Sequence, residues 1–382
     1  MMSNIYLDHN ATTELNPQVL AAMLPWMQKQ SGNPTSRHIF GRSARDAIEY
    51  ARAQVAEACG AYASQVIFTA SGTEANNFAI KGIAGNQTGS QILYSAIEHP
   101  CVSRPAKAMQ QAGWLSNSIA VNDNGVLSLA DLQEKLQTKT SVVSTILANN
   151  ETGVVQHIAE IAELARKSGA FMHTDAVQGL GKIPVSFMDL NVHAMTVSSH
   201  KINGPQGAAA LILDKRVDIQ PLLHGGGQER GLRSGTENIA AIVGFGLACE
   251  LAAANVDYFA KHTQTLRDTF EHGLKSLDVT VFSQQSTRLP NTSFFALNGI
   301  EGETLVTALD RQGFAVASGS ACSSDSSEPS HVLLAMGVHP DLARGAVRVS
   351  FGANNTLLQV ADFLTTLQNE ILRLKQLTSV AG

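Results

Sequence analysis

Through the first two-thirds of the chain, short unbroken apolar runs alternate with longer stretches whose apolar positions recur every three or four residues. Gln65–Ala70, Gln91–Ser95, Ser141–Leu147, Ala170–Asp175, Ala194–Ser198 and Ala208–Leu213 have the length and side-chain content of buried strands. Between them, Ile158–Lys167 is apolar at i, i+3 and i+4, and another helix is expected from about Glu74. Continuous apolar strands separated by amphipathic helices predict an α/β fold with a mainly parallel sheet covered on both faces. A long helical stretch from about Asn238 to Leu277 ends this rhythm. Beyond it the order is strand, strand, helix, strand and a closing helix near Thr356–Leu377. The expected organisation is a large domain over residues 16–259 and a smaller C-terminal α/β domain over 260–382. The N-terminal arm, residues 1–15, joins the smaller domain.

Composition narrows the function. The 382 residues are 44% hydrophobic and only 15% charged, against about 25% charged in ordinary domains. Such a chain buries a large core, which excludes disorder, and the low charge points to surface covered by another subunit. Net charge is −5, so no basic footprint for nucleic acid is present. Met1–Thr13 lacks a basic start and apolar centre, and no apolar run approaches the ~18 residues of a membrane span. No membrane association is expected. Cys59, Cys101, Cys249 and Cys322 are scattered, as in a cytoplasmic chain with free thiols. Nucleotide-binding glycine patterns are incomplete: Gly244–Cys249 lacks the third glycine, and Gly179-Leu-Gly181-Lys182 lacks the rest of a P-loop. Zinc-protease and paired-cysteine patterns are absent among the 12 histidines and 4 cysteines.

The chemistry concentrates at the ends of expected strands. Lys201 closes Ser198-Ser199-His200-Lys201, just before Asn203-Gly204-Pro205. Strand-end lysines are usually solvated, but this position also suits an amine that forms a Schiff base with pyridoxal phosphate, since partial burial lowers its pKa. Asp175 ends an apolar strand, where an unpaired carboxylate is costly. It reads either as a helix cap or as the anion beside a pyridinium nitrogen, and the lysine on the following strand favours the second. Gln178 is placed to donate to the ring's phenolic oxygen. Ser71-Gly72-Thr73-Glu74, between a strand and a helix, offers N–H and hydroxyl donors for a phosphate.

Ordered segments then carry a family resemblance. They are Tyr6–Thr13, Gly32–Pro34, Ser71–Asn77, Glu98–Pro100, Asn149–Gly153, His173–Gln178, Ser198–Lys201, Gly225–Arg230, Gly235–Asn238, Ser318–Cys322 and Arg348–Ser350. With them the chain resembles the cysteine desulfurases of the iron–sulfur cluster and nitrogenase type, within the class V aminotransferase group of pyridoxal phosphate enzymes. The resemblance implies the fold type I architecture of PLP-dependent transferases. It implies that Lys201 carries the cofactor, Asp175 pairs with its ring nitrogen, and His99 stacks on the ring and relays protons. Asn150 and Gln178 would lie on the ring-oxygen side, Asn150 also facing the substrate, and Arg348 would clamp the substrate carboxylate. Gly72, Thr73, Ser198 and His200 would hold the phosphate, completed by Thr236 from the neighbouring subunit of a homodimer.

Cys322, in the serine-rich stretch Ala317–Pro329, would be the nucleophile. It would take sulfur from L-cysteine as a persulfide, leave L-alanine, and pass the sulfur to an acceptor protein, a cluster scaffold or a thiolation enzyme. No resident metal is implied, although Cys322 could transiently ligate a nascent iron–sulfur cluster. The other cysteines read as structural. The chain ends at Gly382 without the longer tail that housekeeping desulfurases use near their scaffold partner, which weakens the expectation of docking there. Two rival readings stand beside it: a sister class V enzyme, a selenocysteine lyase or an aminotransferase, which would need no cysteine on a loop, and a nucleotide-binding or purely sulfur-relaying protein, which would form no Schiff base.

Overall fold

The computed structural model describes residues 4–29, 31–87, 90–319 and 328–380. Its main sheet has seven strands, in the order Leu115–Ile119, Gln91–Ser95, Thr140–Ile146, Phe171–Asp175, Ala194–Ser198, Ala209–Leu213, Val66–Thr69. The first five run parallel, and Ala209–Leu213 runs antiparallel to both of its neighbours. Five of the seven strands, Thr140–Ile146 and Ala194–Ser198 among them, are buried at every residue. That is the pattern of strands covered by helices on both faces. Leu115–Ile119 was not predicted. Only Ile119 in it is buried, as an edge strand facing water requires, and so it carries no apolar run.

Helix Ile158–Lys167 buries Ile158, Ile161, Ala162 and Ala165, the positions its periodicity selects. The helix expected near Glu74 begins at Gly72. Ser71 Oγ accepts the Glu74 N–H at 3.1 Å, and the Glu74 carboxylate accepts the Ala70 N–H at 2.9 Å, a reciprocal pair that closes the strand-to-helix turn.

The 36-residue helix Ile239–Leu274 is shared between two cores. Phe245, Ala248 and Cys249 pack with Ala51 and Val55 in the cluster of the main sheet. Leu266, Phe270 and Leu274 pack with Phe295, Val349 and Phe363 in a second cluster. By length and composition this helix could cross a membrane, with a stretch of mean hydropathy 1.8. That corrects the expectation that no apolar run reaches such a length. Packing explains the composition: a Cβ on Gly246 would come within 2.7 Å of Ala51 Cα, so the helices touch along small residues.

The second sheet is antiparallel, in the order Ala317–Ser318, Ala346–Ser350, Thr292–Leu297, Val279–Val281. Helices Gly302–Arg311 and Leu357–Val380 accompany it. Strand Ile5–Tyr6 pairs in parallel with Phe314–Ala315, Asp8 bridges Ser350, and Leu7 is buried in the second core. The N-terminal arm thus starts on the second core and runs toward the main sheet. Two short helices, His331–Ala335 and Pro340–Arg344, were not predicted; at under two turns they show no periodicity.

Candidate active site

Parallel strands deliver their C-terminal ends to one edge of a sheet, where ligands bind in open α/β folds. At that edge Gln91–Ser95 leads to Glu98 and His99, and Thr140–Ile146 leads to Asn149 and Asn150. Phe171–Asp175 ends on Asp175 itself, and Ala194–Ser198 leads to His200 and Lys201. The register sets Ile146 beside Asp175 and Asp175 beside Thr196. Four segments far apart in sequence therefore converge.

Asp175 is 4% exposed. Its Oδ2 accepts a hydrogen bond from Asn76 Nδ2 at 2.7 Å, and its Oδ1 accepts the Val177 N–H at 3.0 Å. Burial raises its pKa, opposed by these hydrogen bonds and by the charges of His99 and Lys201. Lys201 closes a tight turn after its strand and donates from Nζ to the carbonyl oxygens of Asn10 and Ala11, at 2.6 and 2.7 Å. His200 Nδ1 lies 3.1 Å from Thr12 Oγ1, and burial, with Lys201 and Lys182 nearby, lowers its pKa to about 4. The arm therefore lies directly against the lysine.

Asn10 and Lys182 have no role in the sequence reading, yet they tie the site together. Asn10 Nδ2 donates to Thr292 Oγ1 at 2.9 Å and to the Asn150 carbonyl at 3.2 Å, and its N–H donates to Ser350 Oγ at 2.9 Å. Lys182, 2% exposed, donates to Asn10 Oδ1 at 2.7 Å and to Gln178 Oε1 at 2.6 Å. Gln178 Nε2 in turn donates to the Asn10 carbonyl at 2.9 Å. Burial, and then the charges of Lys201 and Arg348, push the Lys182 pKa well below the ordinary lysine value. In the sequence Lys182 is only the tail of an incomplete P-loop; its offset of four from Gln178 is the signal that marks it.

Arg348 is buried in strand Ala346–Ser350. Its Nη2 pairs with Asp8 Oδ1 at 2.6 Å and its Nη1 donates to the Asn150 carbonyl at 2.9 Å. Its Nε has no partner among the described residues. Ser198 Oγ is likewise buried without a partner there, while Thr73 is exposed and Gly72 half-buried. Thr236 is exposed on the loop before Ile239. That loop is tied to the Ser71 turn by the Arg233–Glu74 ion pair at 2.8 Å, and to the main core by the buried Arg52–Glu229 pair at 2.7 Å.

Cys322 lies outside the described residues. On either side of it, the Gly319 N–H donates to the Ala346 carbonyl at 2.9 Å and Ser330 Oγ donates to the buried Glu151 carboxylate. Cys59 and Cys249 are buried in the core. Cys101, expected to be structural like these two, is half-buried; its Sγ sits 2.8 Å from His99 Nδ1 and accepts from Asn76 Nδ2 at 3.0 Å. Two cavities border the cluster. One of about 530 Å³ is lined in part by His9, Lys182 and Lys201, the other, of about 420 Å³, by Thr73, His99, Cys101 and Arg104.

Fold and strand-end constellation define a class-V aminotransferase architecture, and the family model described as aminotransferase class-V matches residues 5–363. A cysteine desulfurase IscS from Dictyoglomus turgidum is 40% identical over 382 residues, covering 99% of this chain and 97% of that protein. A NifS-like protein from Rickettsia africae ESF-5 superposes with a TM-score of 0.88 at 37% identity, over 96% of this chain and 99% of its own. SspA in complex with cysteine superposes with a TM-score of 0.81 at 30% identity, over 92% of this chain and 99% of its own. The chain belongs to the class-V aminotransferases and, within them, to the cysteine desulfurases.

Proposed function

We propose that this desulfurase holds pyridoxal phosphate on Lys201 and takes sulfur from L-cysteine onto Cys322, releasing L-alanine. The observation that carries the reading is Asp175: a buried carboxylate that accepts hydrogen bonds from the neutral Asn76 amide and the Val177 backbone N–H. A protonated ring nitrogen is the cationic partner that such burial calls for. The phosphate side fits as well. Ser198 Oγ is a buried donor with no partner among the described residues, and a Cβ on Gly72 would stand 3.2 Å from Val177 Cγ2 and 3.6 Å from Ser198 Cβ, so a side chain there would narrow the space beside that donor. Thr73 and His200 supply further donors.

When bound, pyridoxal phosphate supplies a carbonyl carbon that condenses with amines and a ring that withdraws electrons from the substrate Cα. Lys201 Nζ anchors it and, once freed, removes the Cα proton. Arg348 binds the substrate carboxylate through its spare Nε and through Nη2, where substrate replaces Asp8. Asn150 and Gln178 face the ring-oxygen side, and His99 covers the ring. Cys322 thiolate attacks the substrate sulfur, so that the S–S bond of a persulfide forms as the C–S bond breaks. The persulfide passes to an acceptor protein. Cys59, Cys101 and Cys249 are free thiols, which supports a reducing cytoplasmic setting.

Supplied with pyridoxal phosphate, L-cysteine and a reductant, the protein should release alanine and sulfide in equal amounts. Without reductant, sulfur should accumulate on Cys322. Free sulfide with no persulfide on Cys322 would turn the reading to a lyase, and transfer of the amino group to a keto acid would turn it to an aminotransferase.

The active unit in this reading is a homodimer, with Thr236 completing the partner's phosphate site from its exposed, anchored loop. Equal amounts of Lys201→Ala and Thr236-disrupted chains should regain about a quarter of wild-type activity after subunit exchange, since half the dimers are mixed and each has one intact site. No recovery above the two parents would place Thr236 outside the site.

A further inference from the structure

The contact between Cys101 and His99 is not used by the chemistry above. His99 is the N-cap of helix Pro100–Ala108, and its ring Nδ1 accepts the Cys101 backbone N–H at 3.2 Å. The Cys101 Sγ lies 2.8 Å from the same nitrogen. A backbone N–H can only donate, so Nδ1 presents its lone pair to this side of the ring. The S–H is then the donor of the second contact. A neutral imidazole with Nδ1 so engaged carries its proton on Nε2.

We propose that Cys101 is a positioning residue: its S–H and backbone N–H together hold Nδ1 of His99 as an acceptor, so that the ring offers an Nε2–H donor to the reacting groups. The inference rests on the reading that His99 covers the cofactor. The surroundings agree with a neutral pair. Burial, with the Asp175 and Glu98 charges, pushes the Cys101 thiol far above its ordinary range, so it stays protonated. Burial lowers the His99 pKa, and Lys201, His331 and Arg104 act in the same direction against Asp175. Asn76 joins the two halves of the site, donating to both Cys101 Sγ and Asp175 Oδ2. A thiol held this way is a hydrogen-bond donor and not a second nucleophile. The imidazole, protonated on Nε2, is a donor there and not the base, which leaves Lys201 to take the Cα proton.

The test is the tautomer itself, read by nitrogen-15 NMR of the full chain labelled in histidine, free of cofactor, with His99→Gln to assign the signal. Wild type should show an unprotonated, hydrogen-bonded Nδ1 and a protonated Nε2 near neutral pH. Cys101→Ser keeps a donor and should keep this signature and the wild-type kcat. Cys101→Ala should weaken the Nδ1 hydrogen bond in the spectrum and lower kcat for cysteine about three- to tenfold, the worth of one such bond, with KM little changed. A proton on Nδ1 in the wild type overturns the proposal, and this holds even if the alanine variant fails to fold. So does a Cys101→Ser variant as impaired as Cys101→Ala, which would make the thiol a chemical participant. His99→Ala separates the two readings: full activity there, with Nε2 protonated in the wild type, refutes the role of His99 and leaves the tautomer assignment standing.

Discussion

Cys322→Ser should bind pyridoxal phosphate as the wild type does, change its absorption on addition of L-cysteine, and then form no persulfide. Alanine release should fall by more than about a hundredfold, because loss of a nucleophile removes the whole second half of the reaction. The exchange nearly preserves volume, so packing is not at issue. It replaces a thiol, a group that is polarizable and nucleophilic as its thiolate, by a hydroxyl that is scarcely ionised at neutral pH and far less polarizable. Cofactor binding should survive because the residues assigned to it lie on the main-sheet edge, at Asp175, Ser198 and Lys201, in segments remote in sequence from Cys322. Mass spectrometry of the intact chain after cysteine addition reads the persulfide directly. Desulfuration by Cys322→Ser near the wild-type rate would make the thiol incidental and hand the function to a lyase.

Lys201→Ala should lose both the covalent cofactor and turnover, by on the order of a thousandfold or more, while remaining folded. The structural cost is small. Lys201 Nζ donates to the carbonyls of Asn10 and Ala11, and the Asn10 carbonyl keeps its bond from Gln178 Nε2. The two lost hydrogen bonds amount to about 1 kcal/mol each. Borohydride reduction of the wild type followed by peptide mapping should find the cofactor on Lys201. Lys182 makes this a strict test, since its amine borders the same cavity and is linked to the same Asn10. An adduct on Lys182 would sink the assignment.

Much of this site is legible in the residues because strand-end chemistry is local. Asp175 and Lys201 follow apolar runs whose burial is plain from composition, so a charge at their ends calls for a partner. The large cluster and the helix Ile158–Lys167 follow from periodicity in the same way. What periodicity cannot carry is polar structure folded inward. Lys182 and Asn10 are buried because each satisfies the other, across 172 residues of chain. A one-dimensional pattern ranks both as surface residues. The Cys101–His99 contact is hidden for the same reason: the two residues are only two apart in the chain, but only the helix cap turns the imidazole back onto the thiol.

The amino-acid sequence by itself determined the alternation of buried strands and amphipathic helices, the cofactor class suggested by a strand-end lysine and aspartate, and the ordered motifs of a desulfurase. Each of these is written in residues close together in the chain, where apolar spacing and backbone preference act directly. Only the tertiary structure decided how the N-terminal arm closes on Lys201, that Asp8 occupies Arg348, and that Lys182 is locked between Asn10 and Gln178. All but the Lys182–Gln178 contact join segments far apart in the chain, and a buried polar group takes its partner from whatever the fold brings within hydrogen-bond reach.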